Sequence, residues 1–99
     1  MDIVAVLAAL AEPTRLAAIG LLSDGSEHCV CELMKRLDAT QSRMSRHMQV
    51  LKQAGLVVDR RDAQWVRYRL NLDATPEILR IVEAVQAAVR AANEERRAA

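Results

Sequence analysis

The hydrophobic pattern of this 99-residue chain changes period at Gly55, and that change constrains its fold more than any other feature. Before it, Met44, Met48 and Leu51 recur at helical spacing. After it, Val66, Tyr68 and Leu70 alternate with Trp65, Arg67 and Arg69, the pattern of a half-buried strand. The spacing predicts a helix from about Gln41 to Ala54, capped by Thr40 and stopped by Gly55. Leu56-Val57-Val58 supplies the pairing strand, giving a hairpin whose tip, Asp59 to Gln64, is charged. A tight turn, Asp38-Ala39-Thr40, precedes the helix and follows a shorter one that starts near Cys31 and buries Leu33 and Leu37.

Two short helices joined by a tight turn and followed by a hairpin predict a helix-turn-helix with a wing. The flanks agree. Residues 3–11, IVAVLAALA, are apolar on every side, so that helix must be buried in a core or a subunit interface. Glu12-Pro13-Thr14 breaks the chain and opens a second helix, with Leu16, Ile19 and Leu21 or Leu22 inward. Pro76 opens a last helix with Ile78, Ile81, Val82, Val85, Val89 and Ala92 on one stripe, and the charged end from Asn93 to Ala99 is expected to fray. The expected fold class is mainly α with a β-hairpin wing, one winged-helix domain over residues 1–99. A domain of this size buries only a little over ~60% of its unfolded surface, so a partner subunit adds to its stability.

No run of 18 apolar residues is present, so no membrane span is expected. Residues 3–11 are too short for a span, and Asp2 rather than a basic run precedes them, which argues against a signal peptide and for the cytoplasm. In that compartment the C-x-C pair Cys29 and Cys31 reads as ligands or sensors rather than a structural disulfide. With only Gly20, Gly25 and Gly55, there is no phosphate-cradling loop, and no nucleophile–base grouping stands out. An enzyme, with its catalytic cofactor, is not expected.

The formal net charge is only +1, but residues 41–70 carry seven Lys or Arg against two Asp. One basic module on an otherwise acidic chain fits a polyanion-binding face. On the Gln41–Ala54 helix, with Met44, Met48 and Leu51 inward, Ser42, Ser45, Arg46 and Gln49 fall on the opposite side. Short hydroxyl side chains let a helix sit deep in the major groove, where Arg and Gln hydrogen-bond base edges in pairs. Arg43, His47 and Lys52 flank that face toward the phosphates. No Asp or Glu occurs from Gln41 to Val58, in a chain with 13 acidic residues, which an ordinary solvated helix does not require. The hairpin adds Arg60, Arg61, Arg67 and Arg69 for the backbone or minor groove. Trp65 and Tyr68 are read as packing residues, since two aromatics make a poor single-strand platform.

The runs Glu27-His28-Cys29-Val30-Cys31-Glu32-Leu33, Ser42-Arg43-Met44-Ser45-Arg46-His47-Met48, Ala54-Gly55-Leu56, Trp65 to Leu70 and Glu12-Pro13-Thr14-Arg15-Leu16 resemble the ArsR/SmtB metalloregulators, most of all the arsenical-resistance repressors. The resemblance covers roughly residues 5–90. It implies a homodimer through the first and last helices, operator DNA met by Gln41, Ser42, Ser45 and Arg46, and release when As(III) or Sb(III) binds the Cys29 and Cys31 thiolates. Such repressors often carry a third cysteine three residues after the second; here Met34 stands there. His28, an external thiol or hydroxide then completes the site, and a trivalent organoarsenical with two exchangeable positions suits the pair. Residues 76–99 contain no His, which argues against the family's zinc site on the final helix.

Soft thiolates select soft metals and metalloids, and a helix N-terminus favours the thiolate. Residues two apart point about 200° away from each other on a helix, and lie ~6.6 Å apart in a strand. One ion needs the sulfurs closer than either, so binding is expected to distort the chain at Cys29–Cys31 and disturb the adjoining reading helix. A soft divalent metal, thiol oxidation or a persulfide acting on the same cysteines is the alternative inducer. A protein-interaction module of winged-helix shape is the alternative function.

Overall fold

The computed structural model describes residues 2–98. Asp2 N-caps α1 (Ile3–Leu10) by accepting from the Val4 and Ala5 amides at 2.9 and 3.3 Å. The chain bends by 95° into α2 (Pro13–Leu22), where Pro13 sits in the first turn and Glu12 caps. A short strand β1 (His28–Cys29) leads directly into α3 (Val30–Leu37), which ends at Asp38 in the left-handed conformation. Thr40 then caps α4 (Gln41–Gln53) through the Arg43 amide, and Gly55, at φ 84°, ends it. The wing is β2 (Val57–Asp62) and β3 (Trp65–Leu70), followed by α5 (Pro76–Ala98).

The sheet is antiparallel, in the order β1-β3-β2, with His28 opposite Tyr68 and Val57 opposite Leu70. The third strand, β1, was not anticipated, because two residues are too few to show a period. The expected charged tip is shorter than read. Asp59 to Asp62 lie within β2, and only Ala63 and Gln64 make the turn, with Ala63 at φ 56°. The C-terminal segment is helical through Ala98 rather than frayed, and Ala99 lies outside the described residues. Its Ala, Glu and Arg residues are strong helix formers, and Arg96 and Arg97 sit in the last turn, where the helix dipole favours cations.

One core joins the elements. Val6, Ala18, Ile19, Leu22, Leu33, Met44, Met48 and Leu51 are fully buried, with Val57 and Tyr68 from the sheet and Ile78 and Val82 from α5. Helix α1 buries Val6, Ala9 and Leu10 on one side but leaves Ile3, Val4 and Leu7 exposed, Val4 by 69%. Tyr68 packs as expected, whereas Trp65 is exposed beside the wing turn. Among the described residues no single helix is long and apolar enough to cross a membrane.

Candidate nucleic-acid interface and thiol site

The turn between α3 and α4 sets α4 so that Met44, Met48 and Leu51 lock into the core. Its other side carries Ser42, Arg46 and Gln49 exposed and Ser45 half-buried, the face read from the sequence, with Gln41 and Arg43 exposed beside it. Arg46 lies along its own helix, its Nε donating to the Ser42 carbonyl at 3.4 Å. Arg43 and Arg46 border a shallow recess of about 370 Å³ with Arg15, His47 and Val50, and no carboxylate lines it.

Of the three flanking residues, Arg43 is exposed, while Lys52 and His47 each meet a carboxylate of the protein. Lys52 Nζ pairs with Asp59 at 3.1 Å. His47 Nδ1 lies 3.3 Å from Glu12 and 3.2 Å from Arg15 NH1. Burial pushes the Glu12 carboxyl up, but the Thr14 and Arg15 amides, with the His47 and Arg15 charges, outweigh it and hold it below its ordinary range. Sequence reasoning missed Glu12 and Arg15, since nothing local links them to a residue over thirty positions away.

On the wing, Arg60 and Arg67 face each other across the strands. Arg60 donates twice to Glu27, at 2.9 and 2.7 Å, and Arg67 donates to Asp62 at 2.8 Å. Hydrogen bonding from Arg60 keeps the Glu27 carboxyl below its usual range. Arg61 projects from the other face and has no ion-pair partner among the described residues.

The thiols sit at the corner where β1 becomes α3. Cys29 keeps an extended backbone (φ −66°, ψ 143°) and Val30 begins the helix. This corner puts the two Cα atoms 5.2 Å apart and turns the side chains together, with the sulfurs paired. The expectation that the two sulfurs stand too far apart for one guest unless the chain distorts is therefore corrected. Neither regular strand nor regular helix converges them, but the junction of the two does. Cys29 Sγ also accepts from the Cys31 amide at 3.3 Å, so it caps α3. Cys29 is buried and Cys31 half-buried.

Beside them, both ring nitrogens of His28 are taken. Nδ1 meets Glu32 at 2.9 Å and Nε2 meets Asp24 at 2.9 Å. The Asp24 hydrogen bond raises the His28 pKa, burial opposes it, and Glu32 adds to the rise. Asp24 falls to about 2, first through the Ser26 amide and then through His28. Met34 lies one turn after Cys31, packed against the core. Among the described residues no three His, Cys, Asp or Glu converge as a metal-holding group.

Residues 12–58 match the model of the bacterial regulatory protein arsR family. The chain is 47% identical over 62 residues to the arsenical resistance operon repressor of Escherichia coli, covering 63% of this chain and 53% of that protein. It is 41% identical over 90 residues to an arsenic resistance transcriptional regulator of Pseudomonas putida, covering 91% and 67%. The chain thus spans between half and two thirds of the length of these relatives. The solution structure of the homodimeric winged helix-turn-helix DNA-binding domain of a possible ArsR-family regulator from Mycobacterium bovis superposes with a TM-score of 0.73. It is 27% identical, with 89% of this chain and 78% of that one covered.

Proposed function

Because the chain belongs to the ArsR family of bacterial regulatory proteins, we propose that it is a cytoplasmic repressor that binds operator DNA as a homodimer and lets go when Cys29 and Cys31 hold As(III) or Sb(III). The observation that carries this reading is the double use of one atom. Cys29 Sγ, paired with Cys31, is also the N-cap of α3, the helix packed directly against the reading helix.

In this reading α4 enters the major groove, with Gln41, Ser42, Ser45, Arg46 and Gln49 toward base edges and Arg43 toward a phosphate. Arg60, Arg61 and Arg67 of the wing serve the backbone or minor groove. Arg61 does so directly, while Arg60 and Arg67 must first leave their carboxylates. Dimerisation through α1 and α5 covers Ile3, Val4 and Leu7, an apolar face that a single chain leaves in water. The relatives named for arsenical resistance support a metalloid inducer.

An ion bridging two thiolates at about 2.3 Å holds them roughly 3.8 Å apart, and it engages the lone pairs that otherwise accept from the Cys31 amide. Binding therefore takes up the α3 cap, and α3 passes the loss on to α4. Coupling of this kind is typically worth about 1–3 kcal/mol, or about 5–150-fold in operator affinity. His28 is held at both nitrogens and is a poor third ligand. The third position goes to Met34, hydroxide or an external thiol, or is not needed by a trivalent organoarsenical.

A second reading rests on the same pair. The sulfurs already meet, which suits a dithiol that loses two electrons and two protons to an oxidant and closes as a disulfide. Titrating a reduced protein–operator complex with arsenite, antimonite, methylarsenite, cadmium and peroxide, followed by fluorescence anisotropy, tests both. Release by the trivalent metalloids alone supports the first reading, and release by peroxide alone the second.

A further inference from the structure

We infer that Arg15 and His47 are positioning residues that fix the angle between the dimer helix α1 and the DNA-reading helix α4, and so set the spacing of half-sites the dimer accepts. The inference rests on the repressor reading above and adds to it a device that no DNA-facing residue supplies.

The geometry is a three-way joint. Arg15, in the first turn of α2, donates from Nε to the Ala9 carbonyl at 2.7 Å and from NH2 to the Ala8 carbonyl at 3.3 Å. Those carbonyls are among the last of α1, where intrahelical partners run out; Ala8 also accepts from the capping Ala11 amide at 3.2 Å. The remaining arm, NH1, lies 3.2 Å from His47 Nδ1, in the middle of α4. Glu12, whose carboxylate accepts from the Thr14 and Arg15 amides at 2.9 and 3.0 Å, reaches the same imidazole nitrogen at 3.3 Å. The end of α1, the start of α2 and the centre of α4 are thus tied through the Arg15 guanidinium, with His47 Nδ1 accepting from Arg15 in one tautomer and donating to Glu12 in the other.

These side chains are 16–27% exposed, so solvent screens them only in part. A guanidinium is planar, with its donors in a fixed fork, which makes it a strut rather than a loose ion pair. The core beneath the joint is apolar and complete without it, through Val6, Ala9 and Leu10 of α1 and Met48 and Leu51 of α4. Cutting the strut therefore leaves the helices packed and frees their relative angle. Because α1 carries the exposed Ile3, Val4 and Leu7 that a second copy would cover, any freedom between α1 and α4 appears twice in the separation of the two reading helices.

The test uses the full chain and duplex DNA selected by the wild-type protein from a random pool. The selected site is then rebuilt with its half-sites moved closer or further apart by one and two base pairs. The wild type should show a sharp optimum, each one-base-pair shift costing about tenfold. His47→Ala should lose about tenfold at the optimum, with its spacing penalty flattened to under about threefold and half-site binding unchanged. His47→Gln should keep the wild-type profile, since one amide offers an acceptor to Arg15 and a donor to Glu12. Arg15→Lys keeps the charge but cannot span α1 and His47, so it should behave like His47→Ala. Wild-type profiles for His47→Ala and Arg15→Lys, or an equal loss at every spacing and on half-sites, overturn the inference while the repressor reading stands. A wild-type protein that selects no DNA overturns both.

Discussion

The sulfur of Cys29 accepts a hydrogen bond from the backbone N–H of Cys31 at 3.3 Å, so the atom proposed to take the inducer is also the cap of α3. Serine is a strong N-cap and alanine a poor one, with a difference of about 1 kcal/mol. Cys29→Ser should therefore fold as stably as the wild type, bind DNA and ignore arsenite. Cys29→Ala should also ignore arsenite but melt lower, by about 4–8 °C for a domain of this size. Thermal unfolding of the reduced proteins checks the cap, and operator titration checks the response. Equal melting of the two variants would show that the cap carries no weight.

The reading face and the wing predict different losses. Arg46→Ala should cost about 1–3 kcal/mol on the specific site and relax specificity there, if Arg46 holds a base in bidentate fashion. Arg61→Ala should weaken binding evenly across sequences and lower the salt slope by about 1. Glu27→Gln should do the reverse, since it frees Arg60 from a pair at 2.7 Å and makes another cation available to the backbone. Affinity measured across a salt series on specific and scrambled duplexes separates the three. Tightening by Glu27→Gln on the specific duplex alone would contradict the assignment.

The Glu12 carboxylate caps α2, and its pKa lies below the ordinary 4.5 in the folded chain. A carboxyl depressed by folding stabilises the fold fully above its unfolded pKa and loses that contribution as pH falls through the folded value. Glu12→Ala should thus cost about 1 kcal/mol at neutral pH, and the gap to the wild type should close as pH falls below 4.5 and through the lowered folded pKa. Urea unfolding at several pH values measures this. A gap that widens in acid would contradict it.

Ala63, at φ 56°, occupies the first position of a two-residue hairpin turn, where glycine carries no steric penalty. Ala63→Gly should stabilise the protein by about 0.5–1 kcal/mol without altering DNA contacts. Asp38 is also left-handed, at φ 51°, and ends α3, where a negative charge opposes the helix dipole. Asp38→Gly should therefore stabilise at least as much. Melting curves for the two variants decide, and a lowered midpoint for Ala63→Gly would reject the turn assignment.

Much of this fold is legible in the sequence because its elements are periodic. Met44, Met48 and Leu51 announce α4, and Val66, Tyr68 and Leu70 announce β3. Elements too short for a period stay hidden, as β1 does, and with it the strand-to-helix corner that pairs Cys29 with Cys31. Burial follows position as well as residue type: Trp65 is apolar yet exposed, because it stands next to the wing turn with little chain to cover it. The charged residues were the least legible. Whether an arginine faces DNA or a carboxylate depends on tertiary neighbours, as Arg60 with Glu27 and Arg15 with His47 show.

The central claim is that two sulfurs at the head of α3 govern the grip of α4 on DNA. It is tested most directly by operator affinity of the reduced protein with and without arsenite, in the wild type and in the Cys29→Ser, Cys31→Ser double variant. The wild type should lose about 5–150-fold and the variant nothing. Unchanged wild-type affinity with arsenite bound, or equal release from the variant, would contradict it.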